Sequence, residues 1–184
     1  SPLPSLWFLT DEARTPDPLG VARHLPSGTG VVLRHYRAPN RNALALGLAA
    51  IACERNLTLL IGADPALAAE IKAHGVHFPR WSLRRRAGPL PFGIVTASAH
   101  STIEANWAQA IGVTAIFAGP VFATQSHESA QGLGPVRFSA LTRALGLPVI
   151  ALGGLKTANA SRLLGSGAIG LGAIGALIPS TDNL

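Results

Sequence analysis

Eight short runs of β-branched and other apolar residues alternate along this chain with longer Ala/Leu-rich segments, and that alternation limits the fold more than any other feature. The runs lie at 6–10, 30–35, 57–61, 75–78, 92–97, 115–118, 148–152 and 168–172. Between them the spacing predicts helices over 16–24, 40–54, 64–73, 101–111, 137–146 and 156–165, with a brief last one at 172–178. Asp64 and Ser101 stand where N-caps belong, and Gly75 and Gly146 where helices would stop. The fourth connection, 79–91, is short and carries Arg80, Arg84, Arg85 and Arg86.

Parallel strands need crossovers and repeated βα units supply them, so the pattern belongs to the α/β class. Eight units predict a compact single-domain (β/α)8 TIM barrel. The competing architecture is an open doubly wound sheet, which would also bind ligands at the strand C-terminal ends. At 184 residues the chain is shorter than the usual barrel of about 200 or more, so its loops must be short. With 48% apolar and 13% charged residues it can build a sizeable core, and its 20 Gly and 14 Pro follow no fixed period. Disordered, collagen-like and low-complexity chains are excluded. No internal repeat or linker marks a second domain, so residues 1–184 are expected to form one unit.

The net charge is +6, and 13 of the 15 cations are Arg, whose planar fork of donors suits phosphate and carboxylate. No acidic residue lies between Glu70 and Glu104, where Lys72, Arg80 and Arg84 to Arg86 make the chain locally positive. Adhesion to nucleic acid goes with Lys-rich runs and exposed aromatics, and with 5% aromatic residues this chain is not expected to use it. Cys53 is the one cysteine and cannot close an internal disulfide, which fits a reducing compartment. No Cys/His spacing suits zinc, and apolar stretches break before about 18 residues. A soluble, cytoplasmic protein with no membrane partner is expected, and the lack of Met predicts a processed start or missing N-terminal residues.

In a barrel the loops after the strand C-terminal ends carry the chemistry. Here they are polar: Thr10-Asp11-Glu12, Arg34-His35-Tyr36-Arg37, His77, Ser98-Ala99-His100-Ser101, and the strand-six loop from Gly119 to His127. Strands seven and eight end in Leu152-Gly153-Gly154 and Gly170-Leu171-Gly172-Ala173-Ile174-Gly175. Glycine turns at a helix start let backbone N–H groups approach a phosphate. The plainer reading is that these glycines serve only tight turns and close helix packing.

The segments LWFLTD at 6–11, HGVHFP at 74–79, ASAHS at 97–101, AIFAGPVFAT at 115–124, PVIALGG at 148–154 and SGAIGLGAIGAL at 166–177 follow one another at a specific spacing. In that order they resemble the thiamine phosphate synthase and TenI family of small (β/α)8 barrels, over nearly the whole chain. The resemblance implies a transferase of thiamine biosynthesis that joins a hydroxymethylpyrimidine diphosphate to a thiazole phosphate and releases pyrophosphate, assisted by Mg²⁺. Phosphorylated pyrimidine and thiazole compounds are then the partners, with a homodimer as one option for assembly. Arg34, Ser98 and Thr124 fall on catalytic positions of the family, and Gly153 with Gly154 on its phosphate-binding pair. His127 takes the place of the Lys of the strand-six loop and is an acid/base or phosphate-contact candidate. Ser126, Gly172, Ala173, Ile174 and Gly175 complete the expected phosphate contacts, beside Arg80.

The departures fall on the metal side. Gly62-Ala63 replaces the family's Asn-Asp pair, Ser82 its acidic residue after strand four, Val32 its strand-two Gln, and Tyr36 or Arg37 its strand-two Lys. Mg²⁺ needs oxygen donors, so no metal ligand is expected, and Asp64 reads as a helix cap or a shifted ligand. The TenI branch marks its strand-six turn with a His, where this chain has Pro120. Arg80, directly after strand four, is the preferred substitute for the cation; Arg84 to Arg86 also read as a solvated basic face. His77 and His100 read as satisfied structural groups, and Trp7, Trp81 and Trp107 as core or packing residues. Tyr36 is a candidate to stack on a pyrimidine ring. Two functions follow: a synthase with altered or impaired catalysis, or a non-catalytic, regulatory TenI-like binder of a phosphorylated thiamine precursor or product.

Overall fold

Strands covered on both faces read as near-continuous apolar runs, and every residue of β2 (Gly30–Leu33), β4 (Gly75–Phe78) and β6 (Ala115–Ala118) is buried. With β1 (Leu6–Leu9), β3 (Thr58–Gly62), β5 (Ile94–Ser98), β7 (Val149–Leu152) and β8 (Ala168–Ala173) they form a closed parallel barrel in chain order. β8 pairs with β1 through Leu6 with Leu171, Trp7 with Gly172 and Phe8 with Ala173, which excludes the open sheet. This computed structural model describes residues 2–84, 88–123 and 132–174. Among them no helix is long and apolar enough to cross a membrane.

The crossovers are α1 (Pro18–His24), α2 (Arg41–Arg55), α3 (Pro65–Glu70), α4 (Arg80–Leu83), α5 (Thr102–Ala110), α6 (Gly134–Leu145) and α7 (Thr157–Ala160). Local chemistry fixes several ends. The Asp17 carboxylate accepts the Gly20 N–H at 2.8 Å, Asp64 accepts that of Leu67 at 3.0 Å, and the Ser101 hydroxyl that of Glu104 at 3.3 Å. α6 stops at Gly146 in the left-handed conformation.

Four sequence expectations are corrected. Gly75 does not end a helix: α3 closes at Ile71, and Gly75 opens β4, where an added Cβ would stand 1.8 Å from the Ile94 carbonyl oxygen. The 79–91 connection holds a one-turn helix, α4, because Pro79 in extended conformation sets up a first turn there. The segment 156–165 is one turn of α-helix followed by a 3-10 turn, Ser161–Leu163. The helix expected from 172 does not begin there: Gly172, the expected end of the eighth strand, and Ala173 after it both lie in β8, held by pairing with β1.

The barrel interior is filled by Trp7, Leu9, Val32, Leu60, Phe117 and Ile150, with Trp7 edge-on to Phe117 at 5.5 Å. Side chains of opposite parity, such as Phe8, Val31, Ile61 and Phe78, pack outward against helix residues including Leu48, Ile51 and Phe138. Each such burial contributes about 1.5–3 kcal/mol. The apolar filling leaves the strand C-terminal ends for polar side chains: Arg34 follows Val32 by two residues, and Ser98 follows Thr96 by two.

Candidate active site

At that end the interior opens into a cleft of about 1170 Å³, lined among others by Arg34, His77, Ser98, Gly153, Gly154 and Gly172. Five strands and their loops thus deliver the matching residues of the sequence to one place. Among the described residues the one carboxylate lining the cleft is that of Glu104, whereas Arg14, Arg34, Arg80 and Lys156 all border it. The cleft therefore favours anions.

His77 stands at the floor. Its Nδ1 lies 3.0 Å from the Thr96 hydroxyl and its Nε2 3.2 Å from that of Ser98. Burial, helped by the positive charge of Arg34, pushes its pKa down to about 3, so the ring is neutral near pH 7. A neutral imidazole between two hydroxyls donates to one and accepts from the other, which fixes the Ser98 hydroxyl at the cleft surface. His77 is a satisfied group, as expected, and it connects Ser98 to the barrel interior.

Arg34 is set by the residues that follow β1. Its backbone N–H donates to the Thr10 hydroxyl at 2.8 Å, and Thr10 in turn lies 2.9 Å from His35 Nδ1. The guanidinium reaches Asp11 at 3.8 Å, a carboxylate that also accepts the N–H groups of Ala13 and Arg14 at 3.2 and 3.1 Å. Burial lowers the His35 pKa against the raising pull of Glu12.

Arg80 and Trp81 project from α4. The Arg80 Nε donates to Glu104, which also accepts the His100 N–H at 2.7 Å. Burial would raise the Glu104 carboxyl, but the His100 N–H and the Arg80 guanidinium outweigh it and hold the pKa below its ordinary value. Glu104 was readable only as the fourth residue of a Ser-x-x-Glu capping pattern; its work is to anchor Arg80 to α5. Trp81, expected in the core, is 66% exposed, because a one-turn helix on the barrel rim has no layer above it. Trp7 is buried as expected.

Gly153 and Gly154 have φ of 95° and 66°, and an added Cβ would stand 2.7 Å from Pro120 Cα or 2.5 Å from the Ala123 carbonyl oxygen. Backbone conformation and the close strand-six loop already require glycine at both positions. They border the cleft together with Gly172, Ala173 and Ile174. Thr124, Ser126, His127, Gly175, Arg85 and Arg86 lie outside the described residues, as does most of the brief helix expected at 172–178.

The donor set does not fit Mg²⁺. The Gly62 carbonyl accepts from Arg41 at 2.5 Å, Asp64 caps α3, and the Ser82 hydroxyl donates to the Pro79 carbonyl at 2.9 Å. Among the described residues no three or more His, Cys, Asp or Glu come together as a metal site. A hard divalent cation asks for several converging oxygens, which these residues do not offer.

The family model described as thiamine monophosphate synthase, TMP-TENI, matches residues 7–177. This chain belongs to that family. The thiamine-phosphate synthase of Bacillus cereus (strain ZK / E33L) is 28% identical over 193 residues, covering 96% of this chain and 86% of that protein. Among solved structures, a thiamine phosphate pyrophosphorylase from Pyrococcus furiosus superposes with a TM-score of 0.74 at 23% identity, over 98% of this chain and 89% of the other. A thiamine phosphate pyrophosphorylase from Bacteroides thetaiotaomicron gives 0.61 at 19% identity, over 97% and 87%. At those identities the structural likeness speaks for the barrel, and the family model for the lineage.

Proposed function

We propose that this protein binds a hydroxymethylpyrimidine diphosphate and a thiazole phosphate in the cleft and joins them as a thiamine-phosphate synthase. The thiazole nitrogen forms a bond to the pyrimidine methylene carbon while the carbon–oxygen bond to the diphosphate breaks, and pyrophosphate leaves with the electron pair. The observation that carries this reading is the cationic cleft at the strand C-terminal ends of a chain in this family. Arg34 and Arg80 supply charge to the departing diphosphate. Ser98, held by His77, contacts the pyrimidine side, and the backbone at Gly153-Gly154 and at the end of β8 from Gly172 to Ile174, with Gly175 beyond it, holds the thiazole phosphate. Thr124, Ser126 and His127 contribute from the strand-six loop. With one exposed free cysteine, Cys53, the protein suits the reducing cytoplasm.

A donor set unsuited to Mg²⁺ favours a second reading, a non-catalytic or regulatory binder of the same compounds. Incubation with both substrates, with and without Mg²⁺, decides between them. Thiamine phosphate and pyrophosphate in equal amounts support the synthase. Tight binding without product supports the binder, and neither binding nor product refutes both.

A further inference from the structure

The rim of the cleft on the β3 and β4 side is built from residues that meet there only in the folded barrel. The Tyr36 ring lies edge-on to Trp81, centroids 5.8 Å apart at 81°. Behind it the Arg41 guanidinium sits 5.7 Å from the ring centroid and is fixed by the carbonyls of His35 and Gly62, both at 2.5 Å. Residue 62 must be glycine for this arrangement: an added Cβ would stand 2.9 Å from Tyr36 Cε1 and 2.7 Å from the Leu33 carbonyl oxygen. The Tyr36 hydroxyl is buried and has no well-aligned hydrogen-bond partner among the described residues, lying within electrostatic reach of Arg34.

Trp81 is the unexplained part. A large aromatic left 66% exposed gains nothing for folding, yet it borders the cleft beside a fixed aromatic ring and two arginines. The Arg80 side chain next to it is 68% exposed while Glu104 holds its Nε, so its charge faces the same opening. Rings that stack on aromatic side chains and carry phosphate are what such a surface takes. With Arg14, Arg34, Arg80 and Lys156 around the opening, a neutral ring is favoured over a cationic one.

We propose that Tyr36 and Trp81 form an aromatic rest for the neutral planar ring of a heteroaromatic diphosphate, whose phosphate groups lie on Arg34 and Arg80 without a metal ion. This rests on the reading of the cleft as a site for phosphorylated heterocycles.

Calorimetric titration in EDTA tests it with three probes: hydroxymethylpyrimidine diphosphate, inorganic pyrophosphate and unphosphorylated hydroxymethylpyrimidine. For W81A, affinity for the pyrimidine diphosphate is expected to fall about tenfold while that for pyrophosphate stays unchanged, and W81F is expected to restore most of the loss. Y36L, which removes the second ring, is expected to weaken binding of the pyrimidine diphosphate while that of pyrophosphate stays unchanged. Because Trp81 is exposed, circular dichroism and urea midpoints are expected to match the wild type. Wild-type affinity of W81A for the pyrimidine diphosphate overturns the aromatic rest and leaves the substrate reading standing. Equal losses of W81A for pyrimidine diphosphate and pyrophosphate overturn it too, since Trp81 would then only position Arg80. Wild-type affinity of Y36L for the pyrimidine diphosphate overturns the part given to Tyr36. Failure of the wild type to bind either phosphorylated probe overturns both readings.

Discussion

His77 makes folding stability depend on pH in a way that its position in the barrel fixes. Fully buried, and close enough to Arg34 to feel its charge, it has a pKa of about 3 against an ordinary value of 6.5. Between those values the unfolded chain takes up a proton that the folded chain refuses, so its contribution is complete above pH 6.5 and shrinks as the pH falls. At 1.36 kcal/mol per unit, lowering the pH from 7 to 5 should cost about 2 kcal/mol, and the full range down to pH 3 about 5 kcal/mol. Urea denaturation of the wild type and of His77→Gln at pH 7, 6 and 5 reads this directly. The variant loses absolute stability at every pH, because the Thr96 and Ser98 hydroxyls lose the partner that bridges them. The informative quantity is the slope. His35, also lowered by burial, titrates in both proteins and cancels in the difference. The wild type should therefore lose about 2 kcal/mol more than the variant between pH 7 and 5. Parallel slopes would refute the reasoning and show that water reaches His77 or that it is charged in the fold.

Asp64→Ala should cost about 1 kcal/mol in urea denaturation through the lost α3 cap, with ligand affinity unchanged in calorimetry. Gly62→Ala should destabilise by about 1–3 kcal/mol in the same assay, since its methyl meets the Leu33 carbonyl and the Tyr36 ring. Arg34→Ala should weaken diphosphate binding by about 1.5–3 kcal/mol in calorimetry. Arg80→Ala should cost less, because that side chain is mostly solvated. Added Mg²⁺ should shift the urea midpoint of the ligand-free protein no more than NaCl of equal ionic strength does, since no site holds the cation.

The barrel was legible because each of its eight strands is a separate local signal. β4 and β6 were read with their observed ends, since buried parallel strands are near-continuously apolar and glycine or proline follows them. What misled the reading was glycine with two meanings. Gly75 looks like a helix stop in the sequence, but close approach of β4 to the Ile94 carbonyl is what requires it. The same ambiguity moved Gly172 and Ala173 into a turn, although pairing with Trp7 and Phe8 keeps them in β8. Neither constraint is local, because each depends on which strand lies alongside.

At the site, residues read at strand ends came together, whereas residues whose role depends on a partner far along the chain were undervalued. His77 reads in the sequence as a satisfied structural group, and only the fold shows that its partner is Ser98, 21 residues later, beside its Nε2. The metal side is the sharper case. Gly62, Ala63 and Ser82 were legible as absent donors, but an absence in sequence says nothing about what fills the space. Tyr36 follows β2, Arg41 opens α2 and Trp81 lies in α4, and only closure of the sheet brings them against the end of β3. Once they are there, the missing side chain at 62 and the ring at 36 become one feature. The Tyr36 carbon that would stand 2.9 Å from a Cβ at 62 leaves no room for a longer residue, so the Asn that the family carries at that position and this aromatic ring exclude each other. Loss of the side chain at 62 and gain of an aromatic, guanidinium-backed wall are therefore a single change in packing.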